Sequence, residues 1–167
     1  MGQRVLGELL RGHGAHTDSV ECFRGLTPEL VGRRMDAFPY TLWQVLGHLN
    51  YWMRYELERI AGRQPAYPRR AALSWPEEPG PGDLAQWEAE LALFERQLGE
   101  LSELARAAPE RLAQPVQSAH ASEDTHDASL HGVLWQTVVH NSYHLGQVAL
   151  MRRALGAWPP PAGGDTW

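Results

Sequence analysis

The chain has 167 residues, a hydrophobic fraction of 43% and a formal net charge of −5. This length fits one domain with one core, over residues 1–167. The acidic balance without a basic cluster argues against a nucleic-acid partner, and the single cysteine excludes an internal disulfide. The chain has neither the roughly 18-residue apolar run of a membrane span nor a secretory signal, so we expect a cytoplasmic protein without a membrane partner.

The first half of the chain contains two predicted helical segments. Residues 3–26 have apolar side chains at helical spacing, but Gly12 and Gly14 interrupt them, so the segment bends or divides there. Thr41 begins the second helix, and Gln44 three residues later completes the pattern of a capping box. The apolar stripe of this helix is Leu42, Val45, Leu46, Leu49, Met53, Leu57 and Ile60.

The second half contains two longer helices. Asp83 caps the third, whose apolar residues recur at alternating spacings of three and four, the pattern of helices packed lengthwise. The fourth runs from about Ser129 to Leu155; it is apolar on most sides, so we expect it to be central. The connections through Gly82 and to about Ala128 read as irregular loops. The pattern predicts an all-α four-helix bundle with long inter-helix loops and an extended, proline-rich C-terminal tail.

Three histidines form a candidate metal site on the predicted helices. His140 and His144 are four residues apart and therefore lie one above the other on one helix face. His48 lies on the flank of the apolar stripe of the second helix. Three neutral imidazoles plus water are typical of a catalytic rather than a structural metal site. The alternative is that these are half-buried histidines hydrogen-bonded within the core.

The sequence gives weaker support for metal binding by the other histidines. His13 and His16 share a face with apolar residues, which favours an inward position hydrogen-bonded near the site rather than ligation. His120 and His126 belong to a polar stretch, where solvated histidine is the simpler interpretation. The pattern assigns no role to His131.

Motifs in several regions resemble those of the DinB/YfiT-like superfamily. They are Gly12-His13-Gly14-Ala15-His16, Phe38-Pro39-Tyr40-Thr41-Leu42-Trp43-Gln44, His140-Asn141-Ser142-Tyr143-His144-Leu145-Gly146-Gln147, Met151-Arg152-Arg153, Leu155-Gly156, Trp158-Pro159-Pro160-Pro161 and Gly163-Gly164-Asp165-Thr166-Trp167. The resemblance covers nearly the whole chain and is strongest over residues 38–60 and 130–167.

The resemblance has implications for fold and chemistry. Members are up-down-down-up bundles, often homodimers, and many bind a divalent metal such as nickel or zinc through one histidine of the second helix and two of the last. Those positions match His48, His140 and His144. Characterised relatives include bacillithiol-using thiol-S-transferases and mycothiol-dependent isomerases. Despite the family name, a direct role in DNA repair is not implied.

The resulting expectation is a metal-dependent enzyme of the thiol-S-transferase or hydrolase kind, acting on a small molecule with water or a low-molecular-weight thiol. Zinc or nickel is favoured, and iron or another divalent ion would also suit three imidazoles. A non-catalytic metal-containing binding or stress-related accessory protein is the alternative, and a bundle without metal is a third. Gln147 and Asn141 are candidate partners of the histidines, with helix packing or solvent contact as the alternative. Tyr51, Trp52 and Tyr55 are candidate pocket walls, although core packing is favoured for Trp52. Glu56 lies near the apolar stripe, and we expect it to pair with Arg54, Arg59 or a neighbouring helix.

Overall fold

The computed structural model describes residues 2–117 and 129–164. Across these two ranges the chain is helical and has no strand, which confirms the all-α class. The α-helices are α1 (Gly2–Leu10), α2 (Pro28–Val31), α3 (Leu42–Ile60), α4 (Leu84–Leu104), α5 (Pro109–Leu112) and α6 (Leu130–Ala154). A 3₁₀ turn, Ala71–Ser74, lies between α3 and α4. None of the helices in the two ranges is long and apolar enough to cross a membrane.

The four longer helices share one core. α3 packs against α4 and α6, and α1 packs against the same two helices. Each contributes fully buried apolar side chains, such as Leu10 from α1, Leu46 from α3, Leu98 from α4 and Leu134 from α6. This arrangement places α3 beside α6, the two helices that carry the candidate metal ligands. The up-down-down-up order and the single-domain extent stay predictions.

Side-chain caps fix where the long helices begin. The Oγ1 atom of Thr41 accepts a hydrogen bond from the Gln44 backbone N–H, and the Oε1 atom of Gln44 accepts one from the Thr41 backbone N–H, so the predicted capping box is present. The Asp83 carboxylate caps α4 and the Ser129 hydroxyl caps α6 in the same way. These local bonds satisfy N–H groups that have no partner inside a helix, which explains why the predicted start points are confirmed.

The first segment departs from a helix over residues 3–26. α1 ends at Leu10, and residues 11–25 form successive turns. Gly12 and Gly14 adopt φ values of +82° and +79°, a region that favours glycine and ends the helix. The apolar residues beyond the break, including Val20 and Phe23, are nevertheless fully buried. The predicted interruption at Gly12 and Gly14 is therefore confirmed. Beyond it the apolar spacing indicated burial correctly, but the residues form turns and not a second helical piece.

The last helix is less enclosed than expected. α6 exposes a row of large apolar side chains: Trp135 is 49% exposed, Val139 57% and Tyr143 66%. Its other faces pack on α1 and α3, as a bundle helix at the edge of the core would. The prediction that α6 is central is therefore wrong for this face, which the sequence pattern did not distinguish from the buried ones.

The C-terminal residues are held to the first turns of the chain. The guanidinium of Arg152, only 2% exposed, donates to the backbone carbonyls of Cys22, Arg24 and Ala157. The following prolines form no helix, as predicted. They do not run straight, however, because the Gly163 N–H bonds the Pro160 carbonyl and closes a turn.

Candidate metal centre

The structure brings together the three histidines that the sequence singled out. His48 of α3 and His140 of α6 approach with 3.2 Å between their Nε2 atoms. One ring nitrogen of each of these two residues and of His144 lies within 4.8 Å of the others. In a tetrahedral site with bonds of about 2.1 Å, the ligand atoms lie about 3.4 Å apart. The His48 and His140 nitrogens already meet this spacing at 3.2 Å, and the widest pair has to close by at most about 1.4 Å for the three rings to bind one divalent cation.

The protonation of His48 is set by a residue of the connecting loop. Its Nδ1 atom lies 3.0 Å from the hydroxyl oxygen of Ser74, and that hydroxyl donates its single proton to the Ala71 carbonyl at 2.7 Å. Because the Ser74 oxygen has no proton left to give, it accepts one from Nδ1–H of His48. The Nε2 atom of His48 therefore keeps its lone pair and faces the cluster.

A second partner gives His144 the same tautomer. Its Nδ1 atom lies 2.9 Å from the Oε1 atom of Gln147, an acceptor, so Nδ1 carries the proton and Nε2 is free to bind a cation. Gln147 lies one turn beyond His144 on α6, as predicted for a supporting residue. Such partners fix ring orientation in metal sites.

The contact between His48 and His140 requires something between the two nitrogens. The His48 Nε2 atom presents a lone pair, so a second lone pair at 3.2 Å would repel it. Either His140 places a proton on its Nε2 atom and donates, or a cation takes the proton's place. The arrangement thus has one exchangeable position, which a proton or a metal ion can fill.

Burial keeps the three rings neutral. Desolvation lowers the pKa of His48 to about 3, assisted by the neighbouring His144 and His140. Desolvation, then the proximity of His144, lowers the pKa of His140 to about 4. The pKa of His144 is also lowered, again by burial, although the Gln147 hydrogen bond opposes this. Neutral imidazole is the form that binds metals, so metal binding at neutral pH releases no net proton, although a proton on His140 Nε2 has to move to Nδ1.

An aromatic stack from the loop covers one side of the cluster. The Trp75 ring lies parallel to the His48 ring with centroids 3.9 Å apart, and Tyr40 stacks on Trp75 at 3.6 Å. The loop reaches α3 because Gly47 has no side chain; a Cβ there would overlap the ring of Pro76. The sequence pattern predicts an irregular loop here and assigns no role to Ser74 or Trp75. The only available signal was a large aromatic residue inside a polar, proline-rich stretch.

The remaining histidines lie outside the cluster. His16 donates from Nδ1 to the Thr17 carbonyl and bonds Ser142 of α6 through Nε2, so its predicted inward, hydrogen-bonded role is confirmed. His13 is exposed and pairs with Asp18, which contradicts its predicted inward position. His131 is exposed on α6. His120 and His126 fall outside the described residues.

The other candidates surround the cluster without entering it. The Trp52 ring lies 6.4 Å from His48 and contacts Tyr51 and Tyr55 edge to face. Asn141 is buried and donates to the sulfur of Met53, and a hydrogen bond with its side chain opposes the lowering of the His140 pKa, as expected for a partner of the histidines.

Glu56 forms a 2.7 Å ion pair with Arg59, one of the partners anticipated for it. Burial raises the pKa of its carboxyl group, and Arg59 opposes that change. The pair accounts for the presence of an acid beside the apolar stripe of α3.

Fold and site together define a helical bundle in which two adjacent helices supply a buried three-histidine cluster compatible with metal binding. A model of the DinB superfamily matches residues 13–148, which is most of the chain. The protein belongs to the DinB superfamily. Searches of curated proteins and of solved structures return no match.

Proposed function

We propose that the protein is a metal-dependent enzyme in which His48, His140 and His144 hold a divalent cation for thiol transfer to, or hydrolysis of, a small molecule. The observation that carries this proposal is the composition of the cluster. It consists of three neutral ring nitrogens, and no carboxylate or thiol of the described residues belongs to it. Three protein ligands leave a further position for substrate or water.

The charge of the donor set favours activation of a nucleophile. A bound divalent cation supplies a Lewis acid that lowers the pKa of a water or thiol in its open position. The three histidines add no negative charge, whereas a carboxylate ligand would weaken that effect. The hydrogen bonds of Ser74 and Gln147 direct the Nε2 lone pairs of His48 and His144 toward the centre of the cluster. The two imidazole rings are therefore already oriented for metal binding before a substrate arrives.

The surroundings favour a substrate with an apolar part. The Trp75 ring covers His48. The Tyr143 ring packs edge to face on the His144 ring with centroids 5.1 Å apart, and the Tyr143 side chain is 66% exposed. His140 is half-buried, whereas the other two histidines are buried. We therefore place the substrate's approach on the His140 side, between aromatic rings that exclude water.

The experiment uses cysteine and monochlorobimane, a thiol and an electrophile whose conjugate fluoresces, together with p-nitrophenyl acetate for hydrolysis. Zinc-, nickel- and iron-loaded protein are compared with chelator-treated protein, because three imidazoles accept each of these ions. We expect the protein to turn over one of the two probes, and to do so only when a metal is bound. His140→Ala abolishes it, and His131→Ala, which alters an exposed histidine of the same helix, leaves it unchanged.

Two other outcomes are informative. A stoichiometric metal without turnover of either probe would support the non-catalytic binding or accessory role instead. Equal rates in metal-loaded and metal-free protein would contradict the proposed chemistry. The low-molecular-weight thiol, the homodimer, the absence of a nucleic-acid partner and the cytoplasmic location stay predictions; sedimentation equilibrium tests the homodimer.

A further inference from the structure

A cavity lies next to the histidine cluster but does not include it. It has a volume of about 300 Å³ and lies between α3, α4 and the loop that follows the 3₁₀ turn. Ser74 and Trp75 line it and also contact His48, so the loop forms a wall shared by the cavity and the cluster. None of the three histidines is among its lining residues.

Two side chains of the cavity wall have buried polar atoms without partners in the described part of the chain. Asn50 is 2% exposed and donates from Nδ2 to the Glu90 carbonyl and carboxylate, at 2.9 and 2.7 Å, but its Oδ1 atom accepts nothing. Trp43 is 6% exposed, and its Nε1–H has no acceptor. Both atoms have almost no accessible surface, so they lie behind the cavity wall and do not face the space inside it.

The cavity also contains two opposite charges. The half-buried Glu90 contributes a carboxylate from α4. Arg54 contributes an exposed guanidinium from α3, held 5.7 Å from the centre of the Tyr51 ring. A singly charged ligand would face one group of its own sign, whereas a zwitterion satisfies both. The indole and phenol rings of the wall offer surfaces for an apolar group or an ammonium.

We propose that this cavity binds a small zwitterion with the chemistry of a free α-amino acid. Its ammonium group lies toward Glu90, and its carboxylate lies toward Arg54. Its side chain packs on the aromatic wall that includes Trp75. A volume of about 300 Å³ is at the lower end for small-molecule sites, which suits a ligand of this size.

The test titrates glycine, L-leucine and L-phenylalanine at millimolar concentration into chelator-treated protein by calorimetry. At least one should bind saturably, and its amine and acid counterparts, each lacking one charge, should bind about tenfold more weakly or worse. Glu90→Gln keeps the hydrogen bond from Asn50 and removes the charge; Arg54→Gln removes the other. Each should weaken binding about tenfold or more.

Matched controls separate this site from surface charge and from the metal centre. Glu88→Gln and Arg63→Gln alter exposed charges outside the cavity and should leave binding unchanged. His140→Ala should also retain binding, because the amino acid does not use the histidine cluster. The proposal is overturned if none of the three amino acids binds, if the singly charged analogues bind equally well, or if His140→Ala abolishes binding. None of these outcomes depends on whether the protein is an enzyme.

Discussion

Replacing Ser74 with alanine tests how the loop controls the metal centre. The hydroxyl of Ser74 accepts the Nδ1 proton of His48 at 3.0 Å and donates to the Ala71 carbonyl. Ser74→Ala removes both bonds of the hydroxyl and leaves the imidazole N–H only the backbone of residue 74 as a partner. His48 is then free to place its proton on Nε2, the atom that faces the cluster.

The expected loss of metal affinity in Ser74→Ala follows from the burial of the two residues. Ser74 is 2% exposed and His48 6%, so water does not readily replace the lost acceptor. An unpaired buried donor costs about 1–3 kcal/mol. Loss of a hydrogen-bond partner behind a metal ligand typically costs about 10- to 100-fold in metal affinity. Since a factor of ten is about 1.4 kcal/mol, the two figures agree, and we expect zinc affinity to fall by about 10- to 100-fold.

The assay is zinc titration in competition with a chromophoric chelator. Gln147→Ala, which removes the corresponding partner of His144, should cost less than about tenfold, because Gln147 is half-buried and water can take its place. Ser102→Ala is the matched control, since the Ser102 hydroxyl has no partner within the described residues. Unchanged affinity in Ser74→Ala, or a larger loss in Gln147→Ala, would refute the tautomer argument.

Two further predictions concern stability. The metal-free protein should lose stability as the pH falls below about 6.5, because the unfolded chain then takes up protons that the folded state refuses until the pKa values of His48 (about 3) and His140 (about 4) are reached. The slope is at most about 1.4 kcal/mol per pH unit for each ring, urea denaturation measures it, and a flat profile over this window would contradict buried neutral rings. Gly47→Ala should weaken zinc binding, because its Cβ would displace Pro76 and the loop. Gly99→Ala has open space around it in α4 and should stabilise the fold by about 1 kcal/mol without changing zinc binding. Zinc titration and chemical denaturation measure the two effects, and equal effects of both substitutions would argue against the close approach at Gly47.

Local signals explain what the sequence predicted well. Caps join residues three positions apart, so Thr41, Asp83 and Ser129 could be recognised without knowing the rest of the fold. The pair His140 and His144 was visible for the same reason.

Long-range contacts explain what the sequence did not show. No spacing rule connects His48 with Ser74 and Trp75, because a loop of variable path brings them together. The choice of His48 itself gained its weight from family resemblance. In the first segment, two glycines with positive φ ended a helix that the apolar spacing alone would have continued.

The central claim is that three histidine rings bind one cation, and the most direct test is elemental analysis joined to X-ray absorption on untagged protein. The account predicts about one divalent metal per chain, with three imidazole nitrogens at about 2.0–2.1 Å. That metal should be lost in His48→Ala, His140→Ala and His144→Ala and kept in His131→Ala. Metal-free protein after purification and zinc addition, or equal metal content in all four variants, would contradict it.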